Sequence, residues 1–352
     1  MAVPNGMTHK ERVYAALRHE TPDRIPRFIW LGRGIVQRLT EKLHIPASSL
    51  DFWLDNDILQ CWLSINREME RPVAEGSEFT DEWGINWRRE GYYNTAVFHP
   101  LKGRDSAFIK SYPLPDPKSP ERFVPLDKLL AEYGNEYFIG ADVSGTLFEP
   151  ACHLRDMSEF LVDLAEKSQE ASIILDRLEA FSCSVALESL SRGADWIWLG
   201  DDLGSQSNML LSPDLWRFHF KPRMKRIIQT IRREKPEVFI AYHSCGTMAP
   251  VIPDLAEIGI DVLNPLQESA AGMDQKSIKK QFGDRITLMC GPDTQNFTPK
   301  AKPREVAAKV RELTAALGAG GGYIFAVSHH IQHDTPDENL EALLDALKEV
   351  AL

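Results

Sequence analysis

Residues 238–246 read VFIAYHSCG: five apolar or aromatic side chains in a row, then His243, Ser244, Cys245 and Gly246. A short run that is apolar on both alternating faces and stops at polar residues and a glycine reads as a strand covered on both sides. The same form recurs at 24–30, 136–143, 195–199, 261–265, 285–290 and 323–328. Longer amphipathic stretches lie between these runs, at 8–18, 156–166, 168–190, 213–233, 248–258, 303–316 and 336–350. Thr247 is placed to cap one of them, and Pro303 and Pro336 fall in first turns, where a missing N–H costs nothing. Strand alternating with helix predicts a parallel sheet with crossover helices. Seven readable strands, with an eighth expected somewhere in 68–105, predict a (β/α)8 TIM barrel, α/β in class, forming a single domain over 1–352. The competing open, doubly wound sheet lacks its usual companion, because no GxGxxG follows the first strand.

One segment breaks the repetition. Residues 68–126 hold Trp83, Trp87, Tyr92, Tyr93 and many charges, and are expected to form a long excursion early in the chain, an insertion serving as lid or wall. The net charge of −11 and scattered Lys and Arg disfavour a nucleic-acid or anionic-membrane partner. The opening MAVPNGMTHKERV has no apolar core of a signal peptide, and no run of about 18 apolar residues occurs. Five cysteines, an odd number at irregular spacing, fit a reducing compartment better than a disulfide framework. A cytoplasmic enzyme is the expectation.

Catalytic groups of such barrels sit at strand C-termini and in the loops that follow. Nearly every readable strand here ends in such groups: Trp30 and Arg33, Asp142, Asp201, Asp202 and Gln206, His243 and Cys245, Asn264 and Gln267, Cys290 and Asp293, then His329, His330 and Gln332. Side chains at i and i+2 of a strand end point the same way. An imidazole at 243 and a thiol at 245 therefore form half of a zinc site, or else a buried histidine beside an inert cysteine. His329 is the first choice for the third ligand, Cys290 the alternative, and Gln267 a weak oxygen donor. Asp57, in an apolar stretch, is either an exposed helix residue or a buried acid suited to proton transfer. Trp30, Trp83 and Trp198 are candidates to stack an aromatic substrate, with Arg33, Asp202, Gln206 and Gln267 as polar contacts.

Several stretches together resemble the uroporphyrinogen decarboxylase superfamily. They are Glu11-Arg12-Val13, Ala16-Leu17-Arg18-His19, Pro22-Asp23-Arg24-Ile25-Pro26, Asn56-Asp57-Ile58-Leu59, Gly259-Ile260-Asp261-Val262, and Ser328-His329-His330-Ile331 with Asp334-Thr335-Pro336. The resemblance places Asp57 in the slot of the decarboxylase's catalytic aspartate and His329 in that of its active-site histidine. The chain departs from true decarboxylases after the first strand. Their arginine-rich Met-Arg-Gln-Ala-Gly-Arg-Tyr, which binds a porphyrinogen's carboxylates, is replaced by Trp30-Leu31-Gly32-Arg33-Gly34-Ile35. His243-x-Cys245 is instead similar to the zinc-dependent, cobamide-linked methyltransferases of the same fold, whose ligands follow His-x-Cys…Cys. It also echoes cobalamin-independent methionine synthase, in whose later ligand slots this chain has Gln267 and His329.

The resemblance implies a zinc-assisted methyltransferase working between a small methylated compound, such as an aromatic ether, and a corrinoid. The chain has no Asp-x-His-x-x-Gly corrinoid motif, so the corrinoid is expected on a separate partner protein. The alternative is a cofactor-free decarboxylase of uroporphyrinogen or a related aromatic acid, using Asp57 and His329. A homodimer is the expected assembly.

Overall fold

The computed structural model describes residues 6–69 and 71–350. Among the described residues, ten strands form two sheets: β1 (Ile58–Trp62), β2 (Glu78–Thr80), β3 (Asn86–Glu90), β4 (Tyr93–Phe98), β5 (Phe138–Asp142), β6 (Trp196–Gly200), β7 (Phe239–His243), β8 (Val262–Asn264), β9 (Thr287–Cys290) and β10 (Tyr323–Phe325). Seven of them run parallel in the order β1-β5-β6-β7-β8-β9-β10. Residues 26–31 close the ring between β10 and β1. Arg27 and Leu31 bridge Phe325 and Ile331 in parallel, and the Asp57 N–H donates to the Arg27 carbonyl at 2.9 Å.

Closure is visible in the packing. Phe28, Ile58, Phe138, Trp196, Ala241, Val262, Met289 and Ile324 meet in one buried cluster, one residue from each of the eight staves. That is the layered interior of a filled barrel, not a pore. A second, larger cluster lies between the strands and the crossover helices. Two stave pairings decide where chemistry can gather. Gly200 is in register with His243, and His243 with Asn264, so the polar ends of β6, β7 and β8 share one level.

The eighth strand is not in 68–105. It is β1, whose reading ILQCW hides it, because Gln60 and Cys61 interrupt the apolar run. Gln60 points into the barrel, donating to Asp142 Oδ2 at 2.9 Å and accepting from Trp196 Nε1 at 2.9 Å. A polar side chain is tolerated there because both ends are satisfied.

The stretch 68–126 contains structure unlike that of the barrel. β2, β3 and β4 form an antiparallel sheet. Its first turn is organised by the Asp81 carboxylate, which accepts from the Trp83 N–H at 2.8 Å, the Ile85 N–H at 2.9 Å and Trp87 Nε1 at 2.8 Å. Trp83, Ile85 and Trp87 join the outer barrel core, so this region is anchored rather than loose. The helix Pro120–Tyr133 that follows packs on β1 and β5.

Candidate active site

The strand ends open into a cavity of about 130 Å³ lined by Trp30, Trp62, Tyr93, Asp142, Ser144, Glu149, Trp198, Asp202, His243, His329 and His330. His243, Cys245 and His329 each offer one ligand atom, and these atoms lie within 4.8 Å of one another. The backbone explains how the first two converge. Gly246 takes a left-handed φ of +72°, and a Cβ there would lie 2.3 Å from the Gly204 carbonyl carbon, so only glycine lets the two loops cross. The turn is held from both sides. Asp202 Oδ1 accepts from the Cys245 N–H at 2.8 Å, and Gln267 Oε1 accepts from the Gly246 N–H at 2.6 Å.

The tautomer of His243 follows from its neighbours. Asn264 Nδ2 donates to the Met289 carbonyl at 3.0 Å, which turns Asn264 Oδ1 toward His243 Nδ1 at 2.7 Å. Oδ1 only accepts, so Nδ1 carries the proton and Nε2 presents its lone pair, 3.5 Å from Cys245 Sγ. Ligand atoms bound to one zinc at 2.0–2.3 Å are about 3.5 Å apart in a tetrahedral site. Two imidazoles and one thiol whose ligand atoms lie within 4.8 Å of one another would suit a borderline-soft divalent cation.

The acids of the site share one feature: burial without cations. Burial raises Asp142 to about 6, against the donors of Ser144 and Gln60. Burial also pushes the Glu149 carboxyl well above the usual carboxylate range, with Asp202 and Asp201 adding to the rise. Asp201 is raised to about 7 by burial, although the N–H groups of Leu147 and Glu149 hold it at 3.0 Å. The imidazoles move the other way. His329 falls to about 4 through burial and the neighbouring His243, and His330 is driven well down by burial and His329. Burial and Asp202 raise the Cys245 thiol, an effect that a coordinated divalent ion would reverse.

Two larger spaces adjoin the central one. A chamber of about 340 Å³ shares Trp30, Trp62 and His330 with it, and a groove of about 470 Å³ shares Tyr93, His329 and His330. Among the described residues, no lysine or arginine lines any of the three. His330 borders all of them.

The expected residues divide accordingly. Trp30, Trp198, Asp202, His243 and His329 line the central cavity. Gln206, Gln267 and Cys245 face the groove, and Gln267 acts as a loop clamp whose oxygen already accepts a hydrogen bond. Cys290 is fully buried in the outer core and is no part of the ligand cluster, so the alternative third ligand is withdrawn. Trp83 is 4.6 Å from the Phe181 ring and belongs to the anchored excursion, not to a substrate wall. Arg33 opens the helix Arg33–Leu43 and lines none of the three spaces.

Asp57 lies at the opposite end of the barrel, before the first residue of β1. It is fully buried and accepts from His9 Nδ1, Arg12, Arg24 and the Arg27 N–H at 2.7–3.0 Å. It closes the ring and has no access to the mouth. Conversely, the sequence singles out neither Glu149 nor Trp62, and Tyr93 only as part of the excursion. Glu149 carried a weak signal, an acid inside Phe148-Glu149-Pro150-Ala151 just after a strand. Tyr93 reaches the mouth from β4, and its hydroxyl lies 3.3 Å from Gln332 Oε1, a contact no local pattern encodes.

Comparison with known proteins agrees with this architecture. A methyltransferase from Methanosarcina mazei superposes with a TM-score of 0.73 over 97% of this chain and 99% of that one, at 19% identity, which is a likeness of fold. A uroporphyrinogen decarboxylase of Legionella pneumophila (strain Lens) is 23% identical over 215 residues, 59% of this chain and 58% of that protein. One from Anaeromyxobacter dehalogenans (strain 2CP-C) is 32% identical over 156 residues, 43% of this chain and 38% of that protein. The matched stretches thus span well under two thirds of these relatives. The profile of the uroporphyrinogen decarboxylase (URO-D) family matches residues 127–350, which take in β5 to β10 and every metal-ligand candidate: the chain belongs to the uroporphyrinogen decarboxylase family.

Proposed function

We propose that this URO-D family member is a metal-dependent methyltransferase that moves a methyl group between a small methylated compound and a corrinoid carried by a separate protein. The observation that carries the reading is the convergence of His243, Cys245 and His329 at the mouth, with ligand atoms within 4.8 Å. Zinc held by these three would supply Lewis acidity toward an ether or alcohol oxygen, or would hold a substrate thiolate.

The chain's own groups have complementary roles. Trp30 and Trp198, 5.4 Å apart between ring centroids, with Trp62 beside them, wall the substrate and exclude water. Glu149, whose carboxyl is pushed well up by burial and by Asp202 and Asp201 and which lines the cavity, is the acid that would give a proton to a departing oxygen. Asn264 orients His243, and Asp202 and Gln267 hold the Cys245 loop. The outer groove presents Gln206, Gln267, Gln295 and Gln332, uncharged hydrogen-bonding groups on the side from which a protein-borne corrinoid would approach.

Decarboxylation of a polyacid is the poorer fit. Its proposed aspartate, Asp57, is at the wrong end of the barrel, and the cavities hold carboxylates but, among the described residues, no lysine or arginine. A substrate bearing several carboxylates would meet repulsion there.

The test is metal content by inductively coupled plasma mass spectrometry. The purified protein is expected to hold about one zinc per chain and Cys245→Ala to lose it, with the fold intact by circular dichroism. A wild-type protein that takes up no divalent metal after incubation with zinc contradicts the reading.

A further inference from the structure

The chamber of about 340 Å³ is not the axial mouth of the barrel but a side room off it. It exists because the ring is stitched rather than laddered at one seam. Between residues 26–31 and β1, backbone pairing stops after the Asp57 N–H bond to Arg27. The Asn56 side chain takes over, its Oδ1 accepting from the Ile29 N–H at 2.8 Å and its Nδ2 donating to the Ile29 carbonyl at 3.1 Å. Above that stitch the chain turns toward Ile331, which bonds the Trp30 carbonyl and the Gly32 N–H. The two staves therefore part, and the gap becomes a chamber.

Its lining is distinctive. Leu31, Val36, Leu50 and Leu54 make apolar walls, and Trp30 and Trp62 stand where it meets the metal-site cavity. One carboxyl, Asp51, borders it, tethered to Asn56 Nδ2 at 2.8 Å. Gln60 and His330 also line it, the Gln60 amide being already engaged by Asp142 and Trp196. A room with apolar walls, one carboxyl and, among the described residues, no lysine or arginine selects against anions and suits an uncharged ring bearing a hydrogen-bond donor.

We propose that this seam chamber is the subsite for the non-reacting part of the substrate, and that it takes an uncharged aromatic ring whose hydroxyl donates to Asp51. The inference rests on the reading that chemistry occurs at the His243–Cys245–His329 centre, since the ring would then direct its other substituent past Trp30, Trp62 and His330 to that centre. Calorimetric titration with three probes tests it: 4-methoxyphenol, 4-methylanisole (the same ring without the hydroxyl) and 4-methoxybenzoate. The expected order is methoxyphenol tightest, methylanisole weaker by about tenfold, the loss of one buried hydrogen bond, and no measurable binding of the benzoate. Val36→Phe, which fills the chamber, should weaken methoxyphenol at least tenfold while leaving zinc at one per chain. Asp51→Asn should narrow the gap between methoxyphenol and methylanisole. Equal binding of phenol and benzoate, no binding of methoxyphenol, or wild-type affinity in Val36→Phe overturns the proposal. Zinc content is measured on the same samples. Chamber-dependent binding without zinc would leave the subsite standing and remove the metal reading, whereas zinc without binding would do the reverse.

Discussion

The two ends of the barrel treat charge in opposite ways. At the N-terminal end of the strands Asp57 is buried completely, yet His9, Arg12, Arg24 and the Arg27 N–H surround it, and its carboxyl is held below the ordinary value. At the C-terminal end Asp142 is buried and Glu149 half-buried at the cavity wall, with no lysine or arginine among the described residues lining it, and both are raised. Both ends carry acids in an apolar setting. One set ties the first stave to the second, and the other is left uncompensated where a cation and a substrate can reach it. The contrast teaches that a buried acid marks a candidate site only when its neighbours give it hydrogen bonds but no guanidinium or ammonium partner.

The sharpest way to break the comparison is to remove Asp57. Asp57→Ala leaves Arg12 and Arg24 facing an emptied site, and breaking one partner of a buried pair costs about 3–5 kcal/mol. Urea denaturation should show that loss, with zinc still bound by whatever remains folded. Undiminished stability would make Asp57 something other than the clasp. Trp83→Ala comes next. A cavity in the anchored excursion should destabilise by about 3 kcal/mol, and ligand titration should find the metal and probe affinities unchanged. Altered probe affinity would restore Trp83 to the substrate wall.

Acidity separates the two ends by sign. Asp57 has a lowered folded value, so its contribution is present above the unfolded value near 3.8 and is lost as pH falls through the folded one. Asp142 has a raised folded value of about 6, so the folded chain binds that proton more tightly than the unfolded chain does. Its cost is full above pH 6 and fades as pH falls toward 3.8. Relative to Asp142→Asn, the wild type should therefore gain stability between pH 7 and 4.5. Denaturation midpoints that stay parallel over this window would show that Asp142 does not titrate there. The smallest effect is expected from Tyr93→Phe, which removes the contact with Gln332 across the mouth. It should weaken probe binding by about 1 kcal/mol or less, leaving stability and metal content unaltered.

Most of the ring was legible because fully buried strands write themselves as apolar runs ending in polar residues, as at 195–199 and 238–243. β1 was not, because Gln60 serves the interior through two hydrogen bonds that no periodicity reveals. His243, Cys245 and His329 could be gathered from strand order alone, since parallel staves deliver their ends to one level. Asp57 misled because the stretch resembling a catalytic segment begins the strand instead of ending it, a difference of five residues that is the length of β1. Trp83 and Tyr93 show the same limit within the excursion. Which aromatic packs against Phe181 and which bends over the mouth depends on how an antiparallel sheet sits against the barrel, information that lies between segments rather than within them.

The central claim concerns a cation at the mouth, and anomalous diffraction collected on either side of the zinc absorption edge tests it most directly. The account predicts one strong peak within about 2.0–2.3 Å of His243, Cys245 and His329, which disappears in Cys245→Ala. A crystal grown with zinc that shows no such peak, or places it away from those three side chains, contradicts the account.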